Sequence, residues 1–363
     1  YGDDFYEKEK LTEQQKALSQ SEKDDFPLAH SRAGSFRWYQ KGSLVLDMLR
    51  DEMGDSLFRK AMTHYLTKFA FSEASSHDFI KAFYEVSGLP LNWFFDQWLF
   101  HGGEPHFEVS FSDNSNSKDP TTVLSVRQIQ PVSETSGRFR ATTGINVGYT
   151  NGSNSNYKIT ITGKDSVFLL PNVNGIPVEY VVFDTGNRLL KRLTFDRTTD
   201  QLAAATVKAP LAIDRYEALT AMRNIPVEIK RATLLKCAGQ SENELIYTEV
   251  LSQLQADTSK VVRTFFHGAL RHPDALIRRS AVTSYIPLIE SDTSRLVYLL
   301  SDPDYINVEL ALRKLCNFMP AKANFWLEKT KVETGWRGNN IRIAWLEIAI
   351  TQGDRSKLDE LKD

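Results

Sequence analysis

The hydrophobic period of this chain changes twice, and those changes constrain its fold more than any other feature. Up to about residue 103 apolar residues recur at helical spacing. Near Glu104 the pattern turns to alternation, as in Phe107-Glu108-Val109-Ser110-Phe111 and Tyr157-Lys158-Ile159-Thr160-Ile161-Thr162. From Leu202 helical spacing returns and persists to the end. With 363 residues available, this order predicts a multidomain α+β chain. The expected parts are a helical 1–103, a β-sandwich over 104–205 and a helical 206–363.

The helix that organises the first part runs from Phe36 to Gly54. Leu44, Val45, Met48 and Leu49 mark one apolar face, Asp47, Arg50 and Asp51 the other, and Gly54 stands where a helix C-cap glycine belongs. Further helices are expected over 55–69, 78–86 and 90–100, with Ser75 and Asp78 as a capping box and Pro90 in a first turn. Trp93, Phe94, Trp98 and Leu99 form an aromatic group that reads as core. Residues 12–25, rich in Glu, Gln, Lys and Ser, read as a solvated surface helix that Phe26-Pro27-Leu28 breaks. In the middle block strands are expected around 107–111, 123–127, 145–149, 157–162, 167–170, 178–183 and 189–195. Asn151-Gly152 reads as a hairpin turn, and as such explains the formal glycan acceptor Asn151-Gly152-Ser153.

Two features near the start of the Phe36–Gly54 helix are not required by packing. Tyr39 carries a phenol, and Gly42 lacks a Cβ. Tyr39-Gln40-Lys41-Gly42, followed by an apolar helix ending at Gly54, resembles the Tyr-x-Lys-Gly signature of the aminopeptidase N family of zinc metallopeptidases. Phe58-Arg59-Lys60-Ala61 with Tyr65, then His77-Asp78-Phe79 with Ala82-Phe83 and Ser87-Gly88, then Phe94 to Leu99 with Gly102-Gly103 and Pro105, follow in that family's order. The resemblance implies that 1–103 is the helical C-terminal half of a thermolysin-like catalytic domain. It also implies that Tyr39 donates a hydrogen bond to the oxyanion formed when a peptide carbonyl is attacked. A phenol is a donor throughout the neutral range, and one such donor aimed at developing charge is worth about 10²–10³ in rate. The bland alternative is an amphipathic tyrosine whose hydroxyl is satisfied locally.

The family's zinc site is His-Glu-x-x-His with a distant Glu. No His-Glu dipeptide occurs here. None of the seven histidines, His30, His64, His77, His101, His106, His267 and His272, has a partner four residues away. The resemblance therefore implies zinc bound by an upstream segment of the same polypeptide, with no metal ligand in this chain. The opening Tyr1-Gly2-Asp3-Asp4-Phe5-Tyr6, without Met, resembles the helix after the third zinc ligand. The expectation is the C-terminal portion of a longer zinc-dependent aminopeptidase, acting on peptides with free N-termini and inactive as a fragment. The alternative is a non-catalytic interaction scaffold of the same architecture.

A net charge of −2 gives no reason to invoke nucleic acid, and no apolar run approaches the ~20 residues of a membrane helix. Cys237 and Cys316 read as free buried thiols, and the compartment stays open. In the last block, residues 272–282 can be laid over 302–312, each with a Pro-Asp opening a helix and an alanine at Ala281 or Ala311. That repeat predicts a HEAT-like array. Gly335-Trp336-Arg337-Gly338 and Arg342 read as a loop with solvated arginines, and carboxylate binding by an arginine there is the sharper alternative.

Overall fold

The computed structural model describes residues 3–23, 25–241 and 243–362, with Asp3 and Asp4 as backbone. Tyr1 and Gly2 of the opening hexapeptide lie outside the described residues. The chain forms two compact units, 1–218 and 219–363. The first is α+β and the second helical.

In the first unit α1 spans Asp3–Ser21. A π-helical stretch, Phe36–Lys41, runs without a break into α2, Gly42–Met53, and α3 follows at Asp55–Lys68. Leu44, Val45, Met48, Leu49 and Met53 are buried, as their spacing requires. Gly54, at φ 82°, ends α2 in a backbone region that a side chain resists, and its N–H donates to Arg50 O. Ser75 and Asp78 close the expected capping box on α4, Ser76–Ser87. Pro90 falls outside the next helix. Leu91 N–H turns back to Leu89 O, so α5 begins at Asn92 and spans Asn92–Phe95, continuing as a π-helical turn over Asp96–Phe100.

The polar helix α1 is less solvated than its composition suggests. Ala17 is buried, Gln14 Nε2 donates to Leu189 O at 3.3 Å, and Lys10 pairs with Asp47 at 2.5 Å. Long-range hydrogen bonds hold it down where an apolar stripe is missing.

Seven strands follow: β1 His106–Asn114, β2 Thr121–Gln128, β3 Ala141–Tyr149, β4 Asn154–Ile161, β5 Asp165–Pro171, β6 Val178–Phe183 and β7 Arg192–Phe195. They form a four-stranded sheet in the order β5-β2-β1-β7 and a three-stranded sheet in the order β4-β3-β6. All pairs are antiparallel except β1 with β7. The strand expected over 189–195 shortens to β7 because the residues before it form a turn. Asp184 and Asn187 are left-handed there, and the Asp184 carboxylate accepts from the N–H groups of Arg188 and Leu189, from Thr143 and from Lys191. One buried core runs from α2 through both sheets. Trp98 meets Phe139 at 5.1 Å, and Phe107 meets Phe183 at 5.6 Å.

Two helices follow, α6 Thr199–Lys208 and α7 Ala212–Ala221. The second unit holds α8 Val227–Gly239, α9 Glu244–Leu254, α10 Lys260–Ala269, α11 Ala275–Ser284, α12 Thr293–Val297, α13 Tyr305–Phe318, α14 Ala323–Thr330, α15 Asn340–Thr351 and α16 Leu358–Lys362. The two halves of the sequence repeat play the same parts. Asp274 caps α11 and Asp304 caps α13, each through two backbone N–H groups, and Ala281 and Ala311 are both fully buried. The helix that follows Pro273-Asp274 ends at Ser284, because Pro287 disfavours helical backbone at Ile286. Cys237 and Cys316 are buried, and among the described residues neither forms a disulfide.

Candidate functional site

Side chains alternate in role along the π-helical stretch Phe36–Lys41. Arg37 and Lys41, four apart, turn inward and are each 1% exposed. Arg37 Nη1 donates to Phe26 O. Lys41 Nζ donates to Gly103 O and to Glu104 Oε1, both at 2.9 Å. Lys41 thus ties the inner face of this helix start to the turn that leads into the sheets, and Arg37 ties it to the segment after α1. The outer face then has to carry what remains, and Trp38 and Tyr39 stand out from it at 50% and 71% exposure. Among the described residues the Tyr39 hydroxyl has no hydrogen-bond partner.

Tyr39 lies at a groove of about 540 Å³. Leu28, Leu46, Tyr65, Phe79 and Leu99 supply apolar walls, and Ser43 and Ser75 are polar points along it. Gly42 lines the same groove. It has ordinary helical backbone, and a Cβ there would meet only Arg37 O at 3.7 Å. Within this chain, then, nothing crowds Gly42.

The structure does not gather a metal site. Among the described residues no three His, Cys, Asp or Glu side chains converge to hold an ion. His101 Nδ1 lies 2.9 Å from Asp96 O and His106 Nε2 lies 2.9 Å from Thr194 Oγ1. The residues present do not fit zinc. In the second unit Arg342 is committed to Glu360 at 2.7 Å and stacks on Trp345, and Arg337 lies over Trp336. The sequence reading missed Lys41 and Arg37 as anchors. A lysine and an arginine four apart on the apolar side of a helix were the available signal.

Residues 9–98, which contain this helix and most of the groove, match the peptidase family M1 domain. Over that stretch the chain is similar to the M1 peptidase family. The chain is 33% identical over 87 residues to aminopeptidase M1-A of rice, covering 24% of this chain and 10% of the rice protein. It is 31% identical over 125 residues to glutamyl aminopeptidase of pig, covering 31% of this chain and 13% of that one. Over 192 residues it is 26% identical to aminopeptidase N of Haemophilus influenzae, covering 50% and 22%. The fold is also similar to a crystal structure of Legionella pneumophila aminopeptidase A in complex with aspartic acid, with a TM-score of 0.64 at 14% identity. That likeness covers 93% of this chain and 47% of the Legionella chain. The chain therefore spans about half the length of that structure, and its matches cover smaller shares of the curated relatives.

Proposed function

We propose that this chain is the C-terminal portion of a zinc-dependent aminopeptidase, in which Tyr39 is the hydrogen-bond donor to the oxyanion of the attacked peptide carbonyl. The observation that carries this reading is an exposed, unpartnered phenol on an immobilised helix start. A tyrosine kept for packing normally has its hydroxyl satisfied. Here the hydroxyl has no partner among the described residues while Arg37 and Lys41 fix the backbone beneath it, which is the preorganisation that transition-state stabilisation requires.

Zinc, its water and the general base are assigned to an upstream segment of the same polypeptide, since the residues here do not fit the metal. The substrates are peptides with free N-termini. Residues 1–103 complete the catalytic domain, 104–205 form a β-sandwich spacer, and 206–363 form a HEAT-like array. On its own the chain is inactive.

The test uses the full-length parent, wild type against Tyr39→Phe, on aminoacyl-coumarin substrates with zinc content measured on both. A fall in kcat of about a hundredfold with zinc retained supports the assignment. A parent that binds no zinc and turns over nothing overturns it, and leaves the scaffold reading.

A further inference from the structure

A second cavity of about 260 Å³ lies in the first unit and shares no lining residue with the Tyr39 groove. One wall is α2, which contributes Met48, Asp51 and Glu52. Another is the β3–β4 pair, with Lys158 exposed on β4 and Arg140 one residue ahead of β3. Trp93 closes it from the start of α5.

The charges that line this cavity divide into one ion pair and three side chains outside it. Asp51 Oδ1 accepts from Arg188 Nη1 at 2.6 Å, and that pair is close to neutral as a whole. Glu52, Arg140 and Lys158 remain. Among the described residues none of the three side chains makes an ion pair or a hydrogen bond. Arg140 is held without one, because its guanidinium lies 4.4 Å over the Trp93 ring and its backbone is clamped on both sides by Gln97, at 2.7 and 3.0 Å. Its five donors are therefore positioned and unused. On the α2 wall Asp51 Oδ2 is covered and has no donor, a condition that buried carboxylate oxygens rarely keep. The cavity thus has an electron-rich helical wall, a cationic sheet wall, and an apolar surface from Met48 and Trp93 between them.

We propose that this cavity binds a free α-amino acid with an apolar side chain. The carboxylate is taken by Arg140 and Lys158, the ammonium by Glu52, and the side chain packs on Trp93 and Met48. A zwitterion satisfies both walls at once, whereas a simple anion would leave Glu52 opposing it and a simple amine would face two cations. The volume lies just below the ~300–1,000 Å³ of sites for drug-sized ligands, which suits a molecule of amino-acid size. This site needs no zinc and no peptidase activity, so it stands or falls separately from the role given to Tyr39.

The test is titration of the 363-residue chain with L-leucine, followed by isothermal calorimetry and by NMR of the Trp93 indole. Saturable binding is expected below ~20 mM. 4-Methylpentanoate, which lacks the ammonium, and 3-methylbutylamine, which lacks the carboxylate, are each expected to bind at least about tenfold more weakly. Glu52→Gln and Lys158→Ala remove side chains that hold nothing in the fold, and each should weaken leucine by about tenfold while the melting curve stays in place. Tyr39→Phe should leave leucine binding unchanged. No saturable binding, equal binding of leucine and its two analogues, or indifference to both variants would each overturn the proposal.

Discussion

Lys41 Nζ lies 2.9 Å from Glu104 Oε1, and the two side chains are 1% and 3% exposed. The pair joins the start of the α2 helix to the turn before β1, two residues from Tyr39. Neither charge has water to fall back on, so losing one partner strands the other. Lys41→Met is expected to destabilise the first unit by ~3–5 kcal/mol. Lys41→Met with Glu104→Leu should recover much of that, because an apolar pair of similar volume removes the stranded charge. Urea unfolding followed by amide exchange in β1 and β3 reports both. A double mutant no better than the single would show that the pair is not coupled.

Gly102 explains why a Gly-Gly turn stands here. A Cβ built on Gly102 would lie 1.7 Å from Asp25 O, a backbone atom with no rotamer to change. Gly102 N–H also donates to Thr135 O at 2.8 Å, so the turn cannot simply retreat. Gly102→Ala is therefore expected to cost several kcal/mol, on the order of 3 or more, while Gly137→Ala, with nothing near its Cβ, stays within ~0.5–1 kcal/mol. Thermal unfolding of the two variants makes the comparison.

Helices and strands with a clean period were legible without coordinates. Leu44 to Leu49 and Tyr157 to Thr162 needed only their spacing, and Asn151-Gly152 its turn chemistry, with Gly152 at φ +85°. The repeat at Pro273 and Pro303 was legible because Asp caps a helix by a local bond. What was not legible depended on partners far along the chain. Nothing in the local sequence says that Lys41 meets Glu104, that Gln14 reaches Leu189 O, or that Asp184 collects four donors and shortens the expected strand. At the candidate site the motif Tyr39-Gln40-Lys41-Gly42 was readable in the sequence, and the role given to Tyr39 is a proposal. Its exposure and missing hydrogen bond were not, since both depend on which way Arg37 and Lys41 turn.

Asp214 gives the first unit a particular response to pH. It is 2% exposed and accepts from Gly186 N–H at 2.7 Å, and burial pushes its carboxyl up to about 7. A folded-state pKa above the unfolded value means that the folded form holds its proton more tightly. Stability from this group is full below the unfolded pKa near 4 and is lost as pH rises toward 7. Each tenfold gain in proton affinity on folding is worth ~1.4 kcal/mol, so the effect amounts to a few kcal/mol. The β6 amides of the first unit should therefore show larger protection factors, relative to the intrinsic exchange rate at each pH, at pH 5 than at pH 8, and Asp214→Asn should flatten that difference. An unchanged pH profile in the variant would assign the dependence elsewhere.

Arg278 and Asp302 in the second unit respond with the opposite sign. Arg278 donates from Nε and Nη2 to the two Asp302 oxygens at 2.6 and 2.8 Å, and from Nη1 to His272 O and Pro273 O, each at 2.8 Å. Burial works to raise the Asp302 carboxyl, yet the bonds from Arg278 and from the Asp304 N–H outweigh it and hold the group below its ordinary value. A depressed pKa contributes stability that is present above the unfolded value and lost as pH falls through the folded one. Acid should thus loosen α11 and α13 while it favours the fold around Asp214. Arg278→Lys keeps the charge but loses the fork that reaches both oxygens and both carbonyls, and is expected to cost ~2 kcal/mol in the second unit. Arg342→Lys weakens the part-exposed pair with Glu360 and the stacking on Trp345, and should cost less than Arg278→Lys, about 1 kcal/mol. Amide exchange of α11 and α13 at pH 4 and pH 7 separates the two. Equal effects of the two substitutions would mean that the buried fork contributes no more than a surface pair.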